Sequence, residues 1–271
     1  MNSSSNCLIS LVEFRLKITV FIRFRALQSY DKVFYNWRYL MNSFTKENKQ
    51  KAKNGYNQIA WLYDPVAKFF FMNRINKSQT ALIPCLSDFT SCLILGGGSG
   101  YFLQKLLTHT KNGHITYVDL SDNMIDRTRR RIQKYLPEAL VRITFVCASI
   151  ADIKNEPYDL IVCNYFLDVF SEDEVNDILD RFYTTLLASN GYIYITDFAI
   201  PESDWLLRKI SLLILRMLYF IFRIMTFIRS NQLPDFNKLF QKNNFVSLHS
   251  RKFLGGMMVS SIYKKRHPLI Y

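Results

Sequence analysis

Cys92 to Leu107, CLILGGGSGYFLQKLL, decides how the rest of this 271-residue chain is read. Cys92–Leu95 is apolar without alternation, the pattern of a short strand buried on both faces. Gly96-Gly97-Gly98-Ser99-Gly100 follows at once, and Tyr101–Leu107 then takes up a helical repeat. This is a strand, a glycine turn and a helix start. Glycines lack a Cβ and let a ligand come close to the backbone, while the amides at a helix start face whatever binds there. The dinucleotide fingerprint GxGxxG needs a glycine at position 101, where this chain has Tyr101. The glycines fall at 96, 98 and 100 instead, a GxGxG spacing that argues against a nicotinamide dinucleotide.

The second anchor comes 19 residues after Gly100, where His114-Ile115-Thr116-Tyr117-Val118 ends in Asp119. A carboxylate at the carboxyl end of the second strand of a βαβ unit is placed to accept hydrogen bonds from both hydroxyls of a ribose. Further along, Ser121 predicts an N-cap for a helix over Asp122–Tyr135. A third strand is expected over Val141–Cys147 and a fourth over Asp159–Cys163, which ends in Asn164-Tyr165-Phe166-Leu167-Asp168. Ligands of open α/β sheets bind outside the carboxyl ends of the strands, so this segment should face the reacting groups. Ser171 with Glu174 forms a capping box that opens a helix expected to run from Glu172 to Leu187 and to stop at Asn190-Gly191. Strand five, Tyr192–Thr196, ends in Asp197, a candidate base at the same sheet edge. Asp235–Lys242 reads as a short helix, and Phe245–His249 and Met257–Tyr263 as two strands joined through Gly255-Gly256.

These segments, in this order, resemble the class I S-adenosylmethionine (SAM) dependent methyltransferases. LILGGGSG resembles their first motif, YVDLSDNMI their ribose-binding segment, YDLIVCNYFLDVF their fourth motif and LLASNGYIYITDF their fifth-strand segment. The likeness covers roughly Tyr56 to Lys265. It implies an α/β, Rossmann-like sheet of seven strands, mostly parallel with the last antiparallel, plus a helical lid insertion. It also implies S-adenosyl-L-methionine as cofactor. Gly96, Gly97, Gly98 and Gly100 would admit the methionine portion, Asp119 would hold the ribose, Leu120 would pack on adenine, and Ser149 and Asn164 would line the remaining pocket. Tyr56, with Tyr63 and Asp64, is similar to a segment that closes over the cofactor in many small-molecule members. The chain departs from the pattern at Ile94 and Ala148, where many members carry acidic residues. No catalytic residue is assigned, because displacement at a sulfonium carbon depends mainly on alignment and exclusion of water.

Composition bounds the acceptor. The chain holds 35 Lys and Arg against 22 Asp and Glu, and the excess is uneven. Residues 1–80 carry a net +9, residues 81–200 a net −5 and residues 201–271 a net +9. An acidic core between basic flanks suggests contact with anionic surfaces. Residues 1–42 form a basic extension, read either as a loosely ordered or non-native start ahead of Met41 or as an amphipathic segment on a membrane; its charges are too many for a span. Residues 43–271 are expected to form the methyltransferase domain, with a lid helix over 203–230. That helix carries Arg208, Lys209, Arg216 and Arg223 on one stripe of an otherwise apolar surface. Five cysteines without a CxxC pair point to a reducing, cytoplasmic compartment and no structural metal, and the four histidines lack metal spacing. Of these histidines, only His249 is carried as a candidate for catalysis. The expected acceptor is small and hydrophobic, with peripheral membrane contact. The alternatives are a non-catalytic SAM-fold binding protein at a membrane surface and a nucleic-acid methyltransferase, the latter disfavoured because the chain lacks a basic-aromatic platform. The Arg127–Lys134 cluster is expected to be a solvated helix face.

Overall fold

Apolar runs without alternation become the centre of one sheet in the computed structural model of the chain. The structure describes residues 73–201, 205, 208, 209, 211, 212 and 233–266. The reading of residues 1–42, the boundary at 43, the Tyr56 segment and nearly all of the 203–230 lid lie outside the described residues.

Seven strands form the sheet: β1 Ser91–Leu95, β2 His114–Asp119, β3 Ile143–Cys147, β4 Tyr158–Asn164, β5 Leu187–Phe198, β6 Phe245–Phe253 and β7 Met258–Lys265. Their order is β3-β2-β1-β4-β5-β7-β6. β7 pairs antiparallel with both β5 and β6, and the other pairings are parallel. The helices are α1 Arg74–Thr80, α2 Tyr101–His109, α3 Asp122–Tyr135, α4 Glu172–Arg181 and α5 Phe236–Lys242. The expected Rossmann-like sheet of seven strands, mostly parallel with the last antiparallel, is therefore the one observed.

Strand pleating divides the core in two. Leu93, Leu95, Ile161, Cys163, Ile193 and Ile195 meet Val175, Ile178 and Leu179 of α4 and Leu239 and Phe240 of α5. Cys92, Ile94, Leu160, Val162 and Tyr194 meet Phe102, Leu103 and Leu106 of α2 on the other face. Each fully buried Leu or Ile in these layers contributes about 1.5–3 kcal/mol. The strand order reverses between β1 and β4, so the crevice of the doubly wound sheet opens where Leu95 and Asn164 end their strands.

Several boundaries differ from the sequence reading: β6 runs to Phe253, four residues past His249, β7 runs to Lys265, and β5 carries Asp197 inside it and ends at Phe198. Residues Pro137–Arg142 form a 3-10 helix, and β3 begins only at Ile143; Val141, counted into the strand for its side chain, is 87% exposed. The helix opened at Glu172 ends at Arg181 and passes through a π-helical turn, Phe182–Leu186. Leu187–Asn190 then belong to β5, with Leu187 opposite Tyr158 of β4. Sheet pairing overrides the helical continuation that local pattern favours.

Candidate functional site

The bend after β1 is packed from beneath. Tyr117 of β2 is fully buried, and its ring lies under Gly97 so closely that a Cβ on Gly97 would come within 2.2 Å of it. Gly96 is similarly constrained, because a Cβ there would meet the Phe166 ring at 2.5 Å. The Tyr117 hydroxyl donates to the Gly98 carbonyl at 2.9 Å, and the Thr128 hydroxyl of α3 donates to the same oxygen at 3.0 Å. Gly100 is the residue before α2 and has a left-handed backbone (φ 75).

Asp119 is turned toward this bend. Its Oδ2 accepts the Gly98 N–H at 2.9 Å and its Oδ1 accepts the Ser121 N–H at 2.9 Å. Burial pushes the carboxyl up to about 6, while hydrogen bonds from the backbone of Ser121, Gly98 and Leu120 oppose the rise. Ser121 caps α3 as expected, accepting the Met124 N–H.

A cavity of about 180 Å³ opens beside the bend, walled by Ile94–Ser99, Tyr101, Phe102, Arg131, Asn164 and the α1 residues Ile75, Asn76 and Gln79, with Asn73 before them. Of the residues named from sequence, the wall brings together Gly96, Gly97, Gly98 and Asn164. Gly100, Asp119, Leu120 and Ser149 stand outside this wall, with Asp119 joined to it through Gly98. The Ser149 hydroxyl donates to Asp152 Oδ2 at 2.6 Å, and the Ala148 N–H donates to the Asp119 carbonyl. Ile94 is buried in the cavity wall.

Sequence reading missed Arg131. Its Nε donates to the Ser99 carbonyl at 2.9 Å and its Nη1 reaches Gln104 at 3.3 Å, so this member of the Arg127–Lys134 cluster braces the bend. Arg129, by contrast, lies over the Phe145 ring at 4.7 Å. His249 sits exposed on β6, the sheet's outer edge, with β7, β5 and β4 between it and β1. No cluster of metal-ligating side chains is found among the described residues.

On the β4 and β5 side, Tyr165 follows Asn164 with a left-handed backbone (φ 52), and its hydroxyl meets Ser78 Oγ of α1 at 2.6 Å. Leu167–Val169 form a 3-10 turn. Asp197 caps it, its Oδ2 accepting the Asp168 N–H at 3.3 Å and its Oδ1 accepting the Phe198 N–H at 2.9 Å. Both carboxyls are buried. Burial pushes Asp168 up to about 7, and burial plus the nearby Asp168 charge pushes Asp197 well above the carboxylate range.

Residues 93–193 match the family described as "Methyltransferase domain". A malonyl-[acyl-carrier protein] O-methyltransferase of Priestia megaterium is 27% identical over 153 residues, 55% of this chain and 52% of that protein. A carboxy-S-adenosyl-L-methionine synthase of Shewanella halifaxensis is 31% identical over 77 residues, 28% of this chain and 31% of that protein. The chain thus spans about half or less of the length of these curated relatives. Among solved structures, the N-methyltransferase NodS of Bradyrhizobium japonicum in complex with S-adenosyl-L-homocysteine superposes with a TM-score of 0.56 at 14% identity. That superposition covers 80% of this chain and all of NodS. The mitomycin 7-O-methyltransferase MmcR gives 0.55 at 15% identity, over 78% of this chain and 60% of that one. These likenesses establish the fold.

Proposed function

We propose, from the premise that residues 93–193 form a methyltransferase domain, that this chain transfers a methyl group from S-adenosyl-L-methionine to a small, hydrophobic acceptor. The observation that carries the reading is the Asp119 carboxylate turned onto the Gly98 N–H, beside a cavity that none of the described side chains fills. The donor set fits the cofactor: glycine backbone that admits close approach, a buried carboxylate with further acceptor capacity, and a carboxamide, Asn164, whose polar atoms are buried without a partner.

Gly96, Gly97 and Gly98 would receive the methionine portion, Asp119 the ribose hydroxyls, Leu120 the adenine face, and Ser149 and Asn164 the remaining polar edge. When bound, the cofactor supplies an electrophilic methyl group on sulfur. The protein's own task is to hold the acceptor in line and keep water out, which the aromatic residues Tyr101 and Phe102 in the wall favour. Asp119 must be ionised to accept from both hydroxyls, so its raised position ties cofactor affinity to pH.

The acidic core between basic flanks supports peripheral contact of a cytoplasmic protein with anionic lipid. No helix among the described residues is long and apolar enough to cross a membrane. Sedimentation with anionic and neutral vesicles at low and high salt tests that contact, which fails if neither vesicle carries the chain down. Calorimetry with SAM tests the cofactor: wild type is expected to bind, and Asp119→Ala to lose at least about 100-fold, on the scale of removing a buried charged acceptor. Equal binding by the two, or none by wild type, overturns the assignment.

A further inference from the structure

By its own sequence α1 is a weak helix. Its seven residues, RINKSQT, fall below the length of about 12–15 at which an isolated helix becomes even marginal, and Asn76, Ser78 and Thr80 favour caps and turns over helix interiors. Ser78 is its one buried residue, so no apolar stripe fastens the helix to the sheet. Yet Ile75, Asn76 and Gln79 of α1 wall the cavity together with the glycine bend. Hydroxyl groups do the fastening. The Tyr194 hydroxyl of β5 donates to the Gln79 carbonyl at 3.0 Å, and Ser260 Oγ of β7 donates to the Ser78 carbonyl at 2.6 Å. The third anchor is the Tyr165 hydroxyl, 2.6 Å from Ser78 Oγ. Ser78 Oγ donates its hydrogen to the Ile75 carbonyl at 2.9 Å, so it accepts from Tyr165.

Tyr194 and Ser260 lie within their strands, whereas Tyr165 follows the last residue of β4, at the crevice. Its backbone is left-handed (φ 52), a region that bulky side chains avoid. The surroundings impose it: the Tyr165 N–H donates to the Thr196 carbonyl at 2.7 Å, the ring lies against Phe198 with centroids 5.0 Å apart, and Met258 Sδ is 2.9 Å from the hydroxyl. Two consecutive residues therefore serve two walls of one cavity. Asn164 lines it directly, and Tyr165 fixes the helix that lines it from α1. Backbone strain held so firmly beside a ligand-sized hollow points to a task.

We propose that Tyr165 is a positioning residue for the cofactor: through Ser78 it seats α1 so that Ile75, Asn76 and Gln79 form the wall against the amino-acid end of S-adenosyl-L-methionine. The inference rests on the methyltransferase reading above, in which Gly96, Gly97 and Gly98 receive that end. Ile75, Asn76 and Gln79 all stand within one helical turn of Ser78, so a shift at Ser78 moves the three wall residues together. The adenosine end, assigned to Asp119 and Leu120 outside this wall, should not sense that shift.

Two ligands separate the ends, because S-adenosyl-L-homocysteine carries the amino-acid portion and methylthioadenosine lacks it. In calorimetry, Tyr165→Phe should weaken S-adenosyl-L-homocysteine about threefold to tenfold, the scale of one hydrogen bond, and leave methylthioadenosine within about twofold of wild type. Ser78→Ala should do the same. The double variant should lose no more than the larger single loss, because both changes remove one interaction. Hydrogen exchange of the unliganded chain gives a second readout: Tyr165→Phe should speed exchange of the α1 amides about threefold to tenfold and leave those of β1 and β4 as in wild type. Unchanged α1 exchange, equal losses for the two ligands, or single losses that add in the double variant overturns the proposal. Wild type that binds S-adenosyl-L-homocysteine no better than Tyr165→Phe removes this inference alone. Wild type that binds neither S-adenosyl-L-homocysteine nor SAM removes the methyltransferase reading, and the proposal with it.

Discussion

The two halves of the crevice treat their polar groups in opposite ways. At the ends of β1 and β2, Asp119 accepts from Gly98 and Ser121, and the Gly98 carbonyl accepts from Tyr117 and Thr128. At the ends of β4 and β5, Asn164 and Asp168 keep buried atoms with no partner and the backbone at Tyr165 is left-handed. The first half is complete before anything binds, as suits a part that never changes. The second keeps a deficit of several kcal/mol in its unpaired buried groups.

The largest effect is expected at Gly97. Gly97→Val places side-chain atoms inside the Tyr117 ring, and overpacking a rigid site of this kind costs roughly 1–3 kcal/mol or more. Thermal unfolding and SAM calorimetry should show a less stable chain with no measurable cofactor binding. Normal binding would mean that the bend is soft, and the contrast between the halves would disappear.

Asp168→Asn should act oppositely on stability. Because the folded-state pKa is raised from 3.8 to about 7, the carboxyl favours folding below its unfolded pKa, and that contribution is lost as pH rises through about 7. At about pH 8 the variant should therefore be more stable than wild type by on the order of 2–4 kcal/mol, a gain that vanishes near about pH 4. Denaturation at both pH values checks this. A variant that is less stable at the higher pH would show that Asp168 is satisfied in the wild type.

A smaller effect sharpens the first half. Cofactor affinity should fall as pH drops through about 6, by up to about tenfold per unit, as Asp119 gains a proton and loses acceptor capacity. Calorimetry across that range reads it directly, and a flat profile would remove Asp119 from the binding surface. Smallest is Arg131→Ala, which removes two hydrogen bonds at the half-buried edge of the bend and should weaken SAM binding about threefold to tenfold.

What could be read from sequence was local. The bend, the Asp at the end of β2, the Ser121 cap and the Ser171–Glu174 box each depend on residues within a few positions of one another, and each stands where expected. What could not be read depended on partners distant in the chain. Leu187–Asn190 carries no Gly or Pro to end a helix, and only pairing with Tyr158 makes it strand. Arg131 looks like its exposed neighbours until α3 is set against the bend, where it reaches Ser99 across 32 positions. Asp168 reads as one acidic residue in a loop, because a missing partner leaves no trace in a sequence.

The grip of Tyr117 and Thr128 on the Gly98 oxygen has a last consequence. A trans peptide sets its N–H opposite its C=O, so anchoring that oxygen inward turns the Ser99 amide hydrogen toward the cavity. Glycine-rich turns ordinarily rotate their peptide units with little resistance, and here rotation of that unit would first have to break both anchors. The chain therefore presents a fixed outward dipole at a place where its sequence alone would have allowed free rotation.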